Sequence, residues 1–177
     1  MAFTAQDVKK LREMTNVGMM DCKKALQATD GDMDKAVDWL REKGLAKAAK
    51  KADRIAAEGV AYATVIDGIG VVIEVNSETD FAAKTDAFLD LVKNLAEVVA
   101  VNNPADVEAL KACTYPNSNL TVTEIMQEKV MSIGENMQIR RFDRFDENTS
   151  VAYVHAGGSH GVLVNLAVEG DIDATEV

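Results

Sequence analysis

The sequence predicts an α+β protein: an N-terminal three-helix bundle, a helical linker, then an antiparallel sheet of about three strands covered by helices, with an extra C-terminal hairpin. Three observations predict it. Apolar residues recur at helical spacing from position 4 to about 43. Two β-branched runs then bracket Asp67-Gly68, a hairpin signal. A long apolar-periodic segment follows Asp80 and can cover the sheet so formed.

Thr4 precedes the first helix, which carries Val8, Leu11 and Met14. Thr15-Asn16-Val17-Gly18 breaks it, with Gly18 able to supply the positive φ that such turns often use. The second helix carries Met19, Met20, Cys22, Ala25 and Leu26 and stops at Thr29-Asp30-Gly31. Asp32 is the expected N-cap of the third, where Met33, Ala36, Val37 and Leu40 continue the helical spacing beside Trp39. Residues 1–43 make a small bundle with a thin core, a scaffold better suited to binding than to catalysis. Met19 and Met20 follow a glycine turn, where a core pair and an exposed adhesive pair are equally open readings.

Residues 44–58 read as a linker, with Gly44 marking the break from the bundle. Positions 41–54 hold six Lys or Arg against two acidic residues, a net +4 inside an acidic chain. The stretch lacks interleaved aromatics, so a solvated basic helix is favoured over a nucleic-acid patch. A basic strip for an acidic protein surface is a third reading.

The core α+β unit spans 59–147. Val60, Tyr62, Thr64 and Ile66 alternate before the turn, and Val71, Val72, Ile73 and Val75 return after it. Asn76-Ser77-Glu78-Thr79 breaks the strand, and Thr79 or Asp80 can cap the long helix that runs to about Val101. Asn103-Pro104 starts a short helix, Ala105–Ala112, and Leu120–Ile133 forms another that Gly134 ends. Met137, Ile139, Phe142 and Phe145 are spaced as a strand with one irregularity, interleaved with arginines. Residues 148–177 begin a second hairpin around Ala156-Gly157-Gly158-Ser159, echoing the first but never covered by a helix, which suggests a truncated chain or a hairpin added to the first sheet. Its apolar face predicts self-association as a homodimer or poor solubility.

At the junction of strand and long helix, Asp80 sits beside Phe81. One reading makes Asp80 a cap and Phe81 a staple tucked onto the next turn; the other makes the pair an exposed wedge for a partner. Residue types alone leave both open.

Composition bounds the function. A net charge of −10 and a pI near 4.7 argue against nucleic acid as the ligand. Two isolated cysteines, no apolar signal segment and no long apolar run make a cytoplasmic protein with free thiols the expectation, and no membrane association. No phosphate-binding glycine loop, zinc signature or nucleophile elbow is present. His155 and His160 have no third ligand type nearby in sequence, so no metal, no cofactor and no enzyme chemistry are expected.

Several segments carry a resemblance. Leu11–Leu26 (LREMTNVGMMDCKKAL), KAAKKADRIAAEG, EVNSETDFAAK and Ile133–Arg141 (IGENMQIRR) are collinear with the motifs of the bacterial translation elongation factor Ts family. The resemblance implies a guanine-nucleotide exchange factor that binds elongation factor Tu, GDP-bound or nucleotide-free. It implies that residues 1–43 are a ubiquitin-associated-like domain docking on the partner's nucleotide-binding domain through Val17, Gly18, Met19 and Met20. It also implies that Thr79, Asp80, Phe81 and Ala82 form a wedge that dislocates the partner's Mg²⁺. The wedge reading of Phe81 then overtakes the staple. Four positions depart from the family pattern: Asn16 stands for Gly, Ala82 for Val, and Ser159-His160 for Arg-Ile. Family members continue with further helices, against which this chain reads as a fragment.

Overall fold

The computed structural model describes residues 3–167 and Glu169. In chain order the elements are α1 (Ala5–Thr15), α2 (Met19–Ala28), α3 (Met33–Lys51), β1 (Glu58–Ile66), β2 (Ile69–Ser77), α4 (Asp80–Ala83) and α5 (Asp86–Asn102). There follow α6 (Val107–Ala112), α7 (Val122–Ile133), β3 (Met137–Phe145), β4 (Thr149–His155) and β5 (His160–Leu166). The chain divides into two compact units, Met1–Asp53 with Met126–Asn136, and Arg54–Ile125 with Met137–Val177.

In the first unit, α1 opens on a capping box. Asp7 N–H donates to Thr4 Oγ1 at 3.3 Å, and Thr4 N–H donates back to Asp7 Oδ2 at 2.7 Å. The helix ends at Asn16, which turns left-handed at φ 52 and returns its N–H to Arg12 O at 2.8 Å. This corrects the expected role of Gly18, which caps α2 at φ −57. Asparagine closes the turn because its short polar side chain tolerates the left-handed region. Val8, Leu11, Val17, Cys22, Ala25, Leu26, Ala36 and Leu40 form the core, with Trp39 and Met131 packed against it.

The third helix does not break at Gly44. It runs unbroken to Lys51, and Gly44 is buried within it. A Cβ there would lie 3.4 Å from Met131 Sδ, so the missing side chain serves close helix packing. Its alanine-rich surroundings supply the propensity that one glycine subtracts. The basic strip is largely engaged within its own unit. Arg41 Nε meets Glu128 at 2.9 Å, Lys47 Nζ meets Asp21 at 2.8 Å, and Lys51 Nζ donates to Gly134 O.

The second unit is built on an antiparallel sheet in the order β1-β2-β3. Asp67 (φ 50) and Gly68 (φ 83) form the two-residue loop, both in the region such hairpin turns require. The β2 strand runs on through Asn76 and Ser77, which were expected to break it. Both are buried but satisfied: Asn76 Nδ2 donates to Glu58 O at 3.1 Å and Ser77 Oγ to Thr79 O at 2.9 Å. The irregularity in β3 is a bulge at Arg140, because Glu74 pairs with Arg141 and Val75 with Ile139. Val71, Ile73 and Val75 form one face, against which α5 packs its buried Phe88, Leu91, Val92 and Leu95.

The expected single helix after Asp80 is two helices. Thr85 interrupts it and caps α5, accepting Phe88 N–H at 3.3 Å. The short helix α6 starts later than expected, because Asn103 (φ 46) ends α5 and Asp106 caps at 2.8 Å to Ala109 N–H.

Strands β4 and β5 form a separate two-stranded sheet that packs against β1 and β2 without hydrogen-bonding to them. A Cβ on Gly161 would come within 3.0 Å of the Ala61 backbone, so glycine there sets how closely the sheets approach. The hairpin thus lies on the first sheet as a second layer, a correction to its expected alternative of being added to that sheet. Tyr153, Val162 and Val164 on its other side are exposed. The tail of the expected 148–177 segment lies outside the described residues. Among the described residues no helix is long and apolar enough to cross a membrane.

Candidate partner-docking site

The junction between β2 and α5 is a single helical turn with a buried base and an exposed tip. Thr79 caps it in an extended conformation (φ −127, ψ 155), its Oγ1 accepting Ala82 N–H at 3.2 Å. Ser77 Oγ pins the Thr79 carbonyl from below, and Thr85 Oγ1 donates to Ala82 O at 2.8 Å from above. Ala82 and Ala83 are buried, and α4 packs on β1 and β2. Phe81 points the other way and is 82% exposed. A phenylalanine left in water on a fixed turn forgoes the burial that usually stabilises it.

Asp80 stands beside it with its carboxylate half-exposed. Lys84 Nζ donates to Asp80 Oδ2 at 2.6 Å, an ion pair four residues apart that spans the whole turn. That hydrogen bond holds the Asp80 carboxyl below the usual carboxylate range, and the same pairing pushes the Lys84 ammonium up. Sequence reasoning missed Lys84, although its spacing from Asp80 is a legible signal. Two further ion pairs tie the neighbouring backbone: Arg54 meets Glu78 at 3.5 Å, and Glu74 accepts Arg141 at 2.8 Å.

In the other unit, Val17 is buried and Gly18 is the N-cap of α2, with open space where a Cβ would stand. Met19 and Met20 are 51% and 66% exposed. The pair is therefore surface, not core. Met14, at the end of α1, is a third exposed methionine flanking the same turn. Val17 and Ala82 support their turns from within, whereas Met19, Met20, Asp80 and Phe81 present surface.

His155 and His160 do approach, with ring centroids 6.0 Å apart as a cross-strand pair. Their Nδ1 atoms are engaged by Tyr153 OH and Ser159 Oγ, each at 2.9 Å. Among the described residues, no three His, Cys, Asp or Glu side chains cluster to hold a metal. The Cys22 thiol is buried and held above its ordinary pKa by that burial.

Comparison with known proteins adds a family. The family described as Elongation factor TS matches residues 78–176. A relative named Elongation factor Ts, from Magnetococcus marinus (strain ATCC BAA-1437 / JCM 17883 / MC-1), is 47% identical over 178 aligned positions. That alignment covers 99% of this chain but 59% of the relative, so the chain spans well under two thirds of that protein's length. On a match over more than half its residues, and on that identity along nearly all of it, the chain belongs to the elongation factor Ts family.

Proposed function

We propose that this chain acts as a guanine-nucleotide exchange factor in translation elongation, binding elongation factor Tu·GDP, displacing its Mg²⁺ and promoting GDP release so that GTP can bind. The observation that carries the reading is Phe81, exposed at the tip of a turn whose base is buried and capped at both ends. A tip of this kind enters a crevice without deforming itself. Membership of the elongation factor Ts family supports elongation factor Tu as the owner of that crevice.

Thr79, Asp80, Phe81 and Ala82 form the wedge in this proposal. Phe81 supplies apolar volume, Asp80 charge, Thr79 the cap and Ala82 the buried anchor. Mg²⁺ demands near-octahedral oxygen geometry, so a small displacement of the elements that hold it costs much of its binding. A factor that prefers the distorted, metal-depleted partner must weaken GDP, and GDP must weaken the factor by the same free energy. The exchange factor itself makes and breaks no bond.

Residues 1–43 act as the docking domain, through the turn of Val17 and Gly18 and the exposed Met19 and Met20. Thioethers suit such a surface, since they adapt to an apolar groove at little steric cost. The strongly acidic balance of the chain supports a protein partner over nucleic acid, and a cytoplasmic setting follows from the proposed partner.

Release of a fluorescent GDP from elongation factor Tu tests the reading. The expected outcome is acceleration by this chain and loss of acceleration in Phe81→Ala. Binding with no acceleration by either would leave the chain an adaptor anchored through Met19 and Met20. Absence of binding would overturn the proposal.

A further inference from the structure

We propose that Lys84 is a positioning residue of the wedge, bracing the Asp80 carboxylate in one orientation beside Phe81 so that the partner meets a preset pair. This rests on the wedge reading above and assigns a part to a residue outside it.

The argument begins with the size of α4. Four residues are too few for a helix to hold itself by its own hydrogen-bond ladder. Its inward side is secured by the Thr79 and Thr85 hydroxyls and by the buried Ala82 and Ala83. Its outward side carries Asp80, Phe81 and Lys84. The N–H groups of Asp80 and Phe81 give the Asp80 carboxylate minor contacts, and the Lys84 ammonium gives the strongest, at 2.6 Å from the first residue of the turn to the residue just past its last. Acid before base at this spacing is the orientation a helical turn favours.

Without Lys84, the carboxylate keeps only its weaker contacts with the Asp80 and Phe81 N–H groups, and an aspartate at the start of a turn has several ways of making such contacts. The brace restricts them before the partner arrives, so less freedom is lost on binding. Glu58 is a second acid whose field reaches Lys84.

The test is a double-mutant cycle read in partner nucleotide release, with the full chain as wild type, Asp80→Ala, Phe81→Ala, Lys84→Ala, Lys84→Arg and Asp80→Ala/Lys84→Ala. Lys84→Ala should slow release by about two- to fivefold, the scale of an exposed ion pair. Lys84→Arg should restore most of the rate, and Lys84→Ala should add nothing once Asp80 is alanine. Thermal unfolding should be alike for all variants. In a carbon-detected titration of the free chain, Lys84→Ala should move the Asp80 midpoint up toward the ordinary carboxylate value. If the chain binds nucleotide-free partner without accelerating release, the same cycle is read in that affinity.

An unchanged or faster Lys84→Ala overturns the brace, the faster case meaning that the lysine masks the carboxylate. An equal loss in the Asp80→Ala background also overturns it, because Lys84 would then touch the partner directly. If Asp80→Ala and Phe81→Ala behave as wild type, the wedge reading fails and the brace falls with it. If those two lose rate and Lys84→Ala does not, the brace alone fails.

Discussion

At Asn16 the backbone enters the left-handed region, where an ordinary L-residue is strained by about 1–2 kcal/mol. Asn16→Ala should lower stability by about 1 kcal/mol and Asn16→Gly should not, as read by denaturant unfolding. Two positions on, the logic reverses. Gly18 has an ordinary φ and open space around it, so Gly18→Ala should leave the unfolding midpoint unchanged. If the turn docks on a partner, the added methyl weakens binding with no loss of fold, and calorimetry of the complex checks it. Phe81→Ala makes the same separation at the wedge. An 82% exposed ring contributes little to packing, so stability should hold within about 0.5 kcal/mol while nucleotide release slows.

Helices α1 and α3 are held at their N-terminal ends with the help of carboxylates, and this gives them a pH dependence. The Thr4 backbone N–H holds the Asp7 carboxyl below the usual range, and the Lys35 backbone N–H does the same for Asp32. A depressed folded value means stabilisation that is complete above the unfolded carboxylate pKa, about 4, and is lost as pH falls through the folded value. Helical circular dichroism of the chain should therefore hold to about pH 4 and decline below it. Asp32→Asn keeps a capping oxygen but removes the charge, so its acid limb should be shallower. The β4–β5 hairpin depends on contact geometry instead. Gly161→Val would drive its Cβ into the Ala61 backbone, with an expected cost of about 1–3 kcal/mol and loss of protection of β1 amides in hydrogen exchange.

For the molecule as a whole, the uncompensated feature is the outer face of that hairpin. Tyr153, Val162 and Val164 alternate onto one side and stay exposed, while their neighbours face the first sheet. Apolar patches of this kind associate. Sedimentation at rising concentration should show a mass increase that Val162→Lys removes; a monomer throughout would count against it.

Most of the elements and their turns were legible in the sequence because they depend on local chemistry. The Asp67-Gly68 loop, the Thr4 and Asp32 caps and the β3 irregularity follow from allowed φ values, available side-chain oxygens and residue period. Two features were misjudged where local chemistry gave one answer and distant neighbours another. Gly44 reads as a breaker until Met131, far along the chain, is seen packed beside it. Asn76 and Ser77 read as a turn until β1 and β3 supply partners for their backbone. Gly18 was credited with the left-handed turn that Asn16 makes. At the candidate site residue types located Asp80-Phe81 but left its exposure open, since a phenylalanine amid helical spacing is usually core, and only the family resemblance favoured the exposed reading. Thr85 was the overlooked signal, a cap that splits the helix. The sequence by itself therefore determined the elements, the family and the stretch that carries the proposed function. Only the tertiary structure decided which side chains of that stretch meet solvent, because burial is set by residues that chain order does not bring together.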